Sequence, residues 1–213
     1  MYKFISLLST GLDSPVAAYL MLKKNFHPIF LSFLTFKDQN PKIKNKVIQI
    51  VELLSKYTEN GIKVYFIRHD SYLEYLMQFC ERKLTCILCK RLMIRIAMQI
   101  AKKERTNIIV TGDILGEQAS QTLDNIYSYN NLIKDFIIIR PLIGLNKWDI
   151  ININKKLGLY DITSKISTSC DYNPQYPETH AKSHEIQINE FKVRISDMVN
   201  NAVKNAELFE LSV

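Results

Sequence analysis

No apolar run in this 213-residue chain approaches the ~20 residues that a membrane-spanning helix needs, so the chain is read as soluble, with no membrane partner. A secretory signal is also missing. Residues 1–8 are apolar but short, carry no small-residue cleavage site and run straight into a polar loop. Cysteine is scarce: four are too few for a secreted disulfide scaffold of this size, which points to a reducing cytoplasm. There is no internal repeat. With 47% hydrophobic and 23% charged residues, the balance is that of a folded chain rather than a disordered one. The length suits one domain with a short appendage.

Acidic residues are in deficit, and the deficit is local. The net charge is +7, and residues 37–105 hold 15 basic against 7 acidic side chains, whereas residues 180–213 hold 4 against 5. Such a stretch either serves a polyanion, RNA or nucleotide phosphates, or is a lysine-rich solvated surface.

Strand and helix patterns alternate along the chain. Residues 3–8, 27–36, 63–68, 107–111 and 136–139 read as strands. Residues 15–24, 46–60, 71–79, 90–104 and 147–157 read as helices, with Pro15 placed in a first turn and Gly61 and Gly158 as stops. Alternation of this kind predicts a doubly wound parallel sheet covered on both faces, with ligands bound at the carboxyl ends of the strands. Residues 171–179, rich in Pro, Tyr and Asn, read as a loop or boundary. Residues 186–209 read as one amphipathic helix carrying no chemistry.

The first strand is followed by Ser9-Thr10-Gly11-Leu12-Asp13-Ser14 and then a helix. Strand, small-residue loop and helix N-terminus together make an anion cradle, because backbone amides and the helix dipole both face a negative ligand. It is not a Walker A loop, since no Gly-Lys-Ser/Thr follows. The alternative is a plain capped turn. The loop resembles the Ser-Gly-Gly-x-Asp-Ser signature of PP-loop ATP pyrophosphatases, with Thr10 where that signature has its first glycine. A β-branched residue disfavours positive φ. Either Thr10 sits at negative φ, or the loop is remodelled and nucleotide binding is weakened.

Three more segments extend the resemblance. Cys86-Ile87-Leu88-Cys89-Lys90-Arg91-Leu92-Met93 opens a helix, residues 111–122 (Thr111-Gly112-Asp113 through Gln121-Thr122) follow the fourth strand, and residues 140–147 (Arg140-Pro141 through Asn146-Lys147) follow the fifth. With residues 8–20 they resemble, in order, the PP-loop domain of tRNA 4-thiouridine synthetases. On this resemblance residues 1–178 form the PP-loop ATP pyrophosphatase domain and residues 179–213 a C-terminal helical appendage. The fold it implies is α/β, a doubly wound five-stranded parallel sheet of order 3-2-1-4-5. With the first strand beginning at residue 3 and no rhodanese domain following, the chain reads as a stand-alone form without the RNA-binding module.

The resemblance implies ATP with Mg²⁺ as cofactors and a site residue by residue. Leu7 and Leu8 line the adenosine pocket, with Ser32 and Phe33 in the corresponding place on the second strand. Ser9, Gly11 and Ser14 belong to the phosphate loop. Asp13 is its carboxylate, able to hold Mg²⁺ or orient the attacked phosphate. Lys90 matches a nucleotide-contacting basic position, Gly112 allows close backbone approach, and Gln121 matches a nucleotide-contacting amide. Taken alone, Lys90 reads equally as a solvated helix start, Gly112 as a turn and Gln121 as a surface amide.

Cys86 and Cys89 form a C-x-x-C at a helix start, a placement that lowers thiol pKa. Cys170 lies 81 residues beyond Cys89, within Ser167-Thr168-Ser169-Cys170-Asp171. The resemblance makes Asp13, Cys86, Cys89 and Cys170 the catalytic set and implies that three thiolates hold a 4Fe–4S or 3Fe–4S cluster with one open iron. A persulfide relay through Cys170 and a zinc site completed by His180 remain open beside it. Cys80 reads as a buried cysteine. Arg91, Arg95 and Lys102, extended by Arg82 and Lys83, are expected to present a basic face to RNA. The implied activity is ATP-dependent sulfur transfer to a tRNA uridine, at O4, giving 4-thiouridine. The implied partners are tRNA, a sulfur donor (a cysteine desulfurase or sulfide) and a separate RNA-binding protein, with room for a homodimer. Two alternatives stand beside it, thiolation of another substrate and a non-catalytic nucleotide-binding subunit. Some relatives also serve thiamine biosynthesis, of which the residues say nothing.

Overall fold

In the computed structural model, which describes residues 2–36, 40–164 and 170–212, five strands lie parallel: β1 (Lys3–Leu7), β2 (His27–Leu34), β3 (Ile62–Arg68), β4 (Ile108–Val110) and β5 (Ile137–Ile139). A sixth, β6 (Glu207–Leu211), runs antiparallel along β3, so the sheet order is β5-β4-β1-β2-β3-β6. The central strands read as unbroken apolar runs because both of their faces are covered. Phe4, Phe30, Val64, Phe66 and Val110 point to one side, and Ile5, Ile29, Leu31, Tyr65 and Ile109 to the other.

The first side is covered by α1 (Asp13–Leu22), α2 (Asn40–Ser55) and α6 (Lys147–Lys156). On the second side lie α3 (Asp70–Phe79), α4 (Thr85–Lys103) and α9 (Ile195–Lys204), which touches both α4 and β3, with α8 (Ser183–Phe191) tied to α4 through Glu190. Two short helices, α5 (Leu123–Tyr127) and α7 (Tyr160–Thr163), sit in the connections. Among the described residues, no helix is long and apolar enough to cross a membrane.

Three expectations are corrected. The sheet has six strands rather than five, and residues 186–209 are not one helix. That segment is the end of α8, a break around Lys192–Arg194, the whole of α9 and the start of β6. The physical reason is the open edge of β3, whose unpaired backbone groups offer a template. Phe209 pairs opposite Val64 and packs on the apolar face beside it, and Lys44 pairs with Glu207. Tertiary pairing outweighs the local helical period there. The helix expected from Lys90 begins five residues earlier, at Thr85. Thr85 Oγ1 donates to the Arg82 carbonyl at 2.8 Å, and the C-x-x-C therefore lies inside the first turns of α4.

Candidate functional site

The loops after β1, β4 and β5 meet the start of α4 at the carboxyl edge of the sheet. Ser9 and Ser14 close the first loop on itself. The Ser9 amide donates to Ser14 Oγ at 2.8 Å, their hydroxyls lie 3.0 Å apart, and the Gly11 amide donates to Ser9 Oγ at 3.3 Å. Among the described residues only Asn25 and Arg105 are non-glycine residues at positive φ, so Thr10 sits at negative φ and the loop needs no remodelling to hold it. A Cβ on Gly11 would meet only Ser9 Oγ at 3.5 Å, an ordinary contact.

Gly112 is a different case. A Cβ there would lie 2.8 Å from both N and Cα of Ser14 and 3.1 Å from the Asp13 carbonyl carbon. The close approach is therefore between the β4 loop and the backbone of the α1 N-terminus, and backbone cannot swing aside as a side chain does. We expect Gly112→Ala to cost about 1–3 kcal/mol by forcing these two loops apart. Urea unfolding checks this, and an unchanged midpoint would show that the loops separate freely.

A cavity of about 440 Å³ opens at this edge, with a lobe of about 280 Å³ running under the phosphate loop. Leu7, Leu8, Ser14 and Gly112 line the lobe, Gly11, Ser32 and the three cysteines Cys86, Cys89 and Cys170 line the main cavity, and Ser9, Asp13, Phe33, Lys90 and Gln121 line both. All the residues expected at the site thus come to one place. Gln121 is buried, and its Oε1 has no hydrogen-bond partner. A buried polar atom left unpaired is costly, and this one belongs to a residue that lines a cavity of nucleotide size.

Charges that sequence reasoning passed over organise the wall. Asp113 is 2% exposed and gathers Lys90 Nζ at 2.7 Å, Arg140 Nε at 3.3 Å and Thr111 Oγ1 at 2.7 Å. Burial alone would raise its carboxyl, but Lys90, Thr111 and Arg140 outweigh burial and hold it below the usual range. Asp13 accepts from Lys147 Nζ at 2.8 and 3.1 Å, and Lys147 reaches Glu117 at 3.2 Å. Asp113, Arg140 and Lys147 all stand inside the motif segments, but nothing in the sequence says that they pair with Lys90 and Asp13. His69 had no signal at all. It is fully buried, its Nε2 lies 3.4 Å from Cys89 Sγ, and its ring is wedged edge-on between Phe33 and Tyr72. Burial pushes it down to about 3, so it is neutral at physiological pH.

The cysteines depart from expectation in chemistry. Cys86 Sγ donates to Asn173 Oδ1 at 3.6 Å. Burial raises the Cys86, Cys89 and Cys170 thiols rather than the helix start lowering them, Cys89 most of all, and mutual repulsion adds to the rise at Cys86 and Cys89. Desolvation in a half-apolar wall exceeds what one helix turn supplies. His180 does not join them, because its Nδ1 is on Asp124 at 2.7 Å at an exposed position. Residues 167–169, quoted with Cys170, lie outside the described residues. Cys80 packs as expected, half-buried, its thiol on the Asn189 carbonyl at 3.4 Å.

Of the expected RNA face, Arg82 and Lys102 are exposed, whereas Arg91 belongs to the core and Arg95 and Lys83 are engaged by carboxylates. Arg91 is 1% exposed. Its Nε and Nη2 grip Glu190 at 2.8 and 3.0 Å, and Nη1 binds the Ser128 carbonyl and Asn131. Arg95 takes the same Glu190 carboxylate, and Lys83 is engaged by Glu178 and Glu185. These cations tie α8 and the segment before it to α4.

Over 196 residues the chain is 39% identical to a probable tRNA sulfurtransferase of Methanocaldococcus jannaschii, covering 91% of this chain and 50% of that protein. It is 37% identical over 212 residues to the probable tRNA sulfurtransferase of Methanosarcina mazei, covering 98% and 52%. The chain thus spans about half the length of the curated relatives it matches. Among solved structures it resembles a 4-thiouridine synthetase in complex with RNA and bound ATP, with TM-score 0.91 and 25% identity over 99% of this chain and 55% of that one. It also shares the fold of the U34-tRNA thiolase NcsA of Methanococcus maripaludis, solved with its 4Fe–4S cluster, at TM-score 0.55 and 16% identity over 96% of this chain and 67% of that one. The family model described as "Thiamine biosynthesis protein (ThiI)" matches residues 2–195, and the chain belongs to that ThiI family.

Proposed function

We propose that this chain is the catalytic unit of an ATP-dependent tRNA sulfurtransferase that converts a uridine to 4-thiouridine. The single observation that carries the reading is the shared cavity: the phosphate loop, Lys90 with its partner Asp113, and three cysteines line adjoining walls, with Arg140 tied to Asp113. Nucleotide activation and sulfur delivery can then occur at one carbon without release of the intermediate.

In this reading the uracil O4 attacks the α-phosphorus of ATP. The bond from that phosphorus to the bridging oxygen breaks, and pyrophosphate leaves with the electron pair. The loop amides and the α1 N-terminus hold the phosphates, and Lys90, Arg140 and Lys147 supply positive charge as the leaving group develops. Asp13 fits Mg²⁺ as the one carboxylate of the loop facing the cavity, since Mg²⁺ is commonly held by one or two carboxylates and the substrate's own phosphates. When bound, it would neutralise the departing pyrophosphate. Sulfur then attacks C4 and AMP departs.

The donor set fits an iron–sulfur cluster in chemistry, since Cys86, Cys89 and Cys170 line one cavity. Among the described residues no three His, Cys, Asp or Glu side chains meet around a single ion, a closeness that a zinc site requires and a cluster, with each thiolate on a different iron, does not. Cys86, Cys89 and Cys170 would hold such a cluster, which would supply the sulfur when bound; the second reading is a persulfide on Cys170, loaded by a cysteine desulfurase or by sulfide with an oxidant, with Cys86 and Cys89 at hand to release it. A non-catalytic role draws no support from Thr10, whose backbone suits the loop.

The test is pyrophosphate release from ATP with and without tRNA, read beside near-ultraviolet absorbance of the tRNA product. Wild-type protein should need tRNA for release. Serine at Cys86, Cys89 or Cys170 should lose the thiolated product and keep pyrophosphate release, and serine at Cys80 should cost only packing. Release that ignores tRNA would point to another substrate.

A further inference from the structure

Beside Cys86 the main cavity opens into a side pocket of about 190 Å³, below the ~300–1,000 Å³ of pockets that take drug-sized ligands and suited to one flat ring. Its walls are two carboxamides, Gln118 and Asn173, the Ser120 hydroxyl, the Cys86 thiol and the rings of Pro174 and Pro177. No charged side chain lines it, so it is not a phosphate site.

The pocket is framed rigidly. Asn125 is fully buried, donates to the Ala119 carbonyl at 2.6 Å and the Glu178 carbonyl at 2.9 Å, and accepts from the Ala181 amide at 3.1 Å. Thr122 Oγ1 donates to the Thr179 carbonyl at 2.6 Å. The two loops that make the walls are thereby pinned to each other.

We propose that this side pocket receives the uracil base extruded from the RNA, a proposal that rests on the thiolation reading above. An enzyme acting on a base commonly draws it out of the stack, reads its edge by hydrogen bonds and holds its faces between apolar surfaces. Uracil presents two carbonyl acceptors flanking one N–H donor, and carboxamides and a hydroxyl can meet all three. With Asn173 Oδ1 committed to the Cys86 thiol, Nδ2 is the atom left to donate to O4. That places the oxygen to be replaced beside Cys86, at the junction with the nucleotide cavity. Cytosine carries an amino donor at the same position and meets a second donor there. Pro174 and Pro177 offer apolar surface to the ring.

The test uses the full chain with ATP and tRNA. Asn173→Asp keeps the shape and the acceptor for Cys86 but removes the donor to the base, and Gln118→Ala removes the second carboxamide. Asn173→Asp should keep ATP affinity within about twofold, and both variants should lose about tenfold or more in tRNA-dependent pyrophosphate release, the size of one lost base-edge contact. In parallel, tRNA transcribed with 4-thiouridine is irradiated in the near ultraviolet on the wild-type protein. Cross-links should map to residues 118–120 or 173–177. Normal turnover by both variants, or cross-links confined elsewhere, overturns the pocket while leaving the thiolation reading in place. Absence of tRNA-dependent release from wild-type protein overturns that reading, and the pocket with it.

Discussion

Asp13→Ala and Asp13→Asn are expected to reduce tRNA-dependent pyrophosphate release by about a hundredfold or more, the scale on which loss of one preorganised electrostatic group acts at a reacting centre. The stability effect should be small by comparison. Asp13 is partly exposed, its partner Lys147 is a third exposed, and Lys147 keeps Glu117 when Asp13 is gone. A screened pair of this kind and the favourable charge in the first turn of α1 are each worth up to about 1 kcal/mol. Quenched-flow assay of pyrophosphate release beside thermal unfolding separates the two effects. Normal turnover in the Asn variant would mean that the charge of the loop carboxylate takes no part in the chemistry.

The largest effect on stability is expected at Arg91. Its guanidinium is buried and satisfies Glu190, the Ser128 carbonyl and Asn131 together. Burial alone would raise Glu190, and the hydrogen bonds from Arg91 and Arg95 outweigh it and hold the carboxyl below its usual range. Arg91→Ala leaves a buried carbonyl without its donor and half of a carboxylate's partners gone, a loss of about 3–5 kcal/mol. That is a large share of the ~5–15 kcal/mol that holds a domain folded. Arg95→Ala, at a position 22% exposed, should cost about 1 kcal/mol. Urea unfolding of both variants decides it, and equal costs would show that Arg91 is no more structural than Arg95. The double replacement of Arg91 by Met and Glu190 by Leu should recover much of the loss, because it removes the buried charges as a pair.

This arginine shows where sequence reasoning stops. Cys-Lys-Arg at a helix start identifies a cationic segment, and Lys90 does turn to the cavity wall. Arg91, one residue on, is rotated by the helix through 100° and faces α8, whose Glu190 lies 99 residues away. Charge counts do not carry direction. Only the packing of α8 on α4 decides whether a cation is surface or core.

The same division runs through the site. Ser9 to Ser14, the C-x-x-C, and the segments opening at Thr111 and Arg140 are local patterns, and a local pattern is enough to place a loop at the end of a strand. Strand alternation and the buried apolar runs determined the parallel sheet, because a fully covered strand must be apolar on both faces, while its order from β3 to β5 followed from the family resemblance. What the tertiary structure alone decided are the long-range encounters. These are β6 completing the edge of β3, Asp113 gathering Lys90 and Arg140, Lys147 crossing 134 residues to Asp13, and His69 meeting Cys89. It also reversed the expected thiol chemistry, since a helix start favours a thiolate only while water or a cation shares the charge. Burial removes the water, and the protonated form wins.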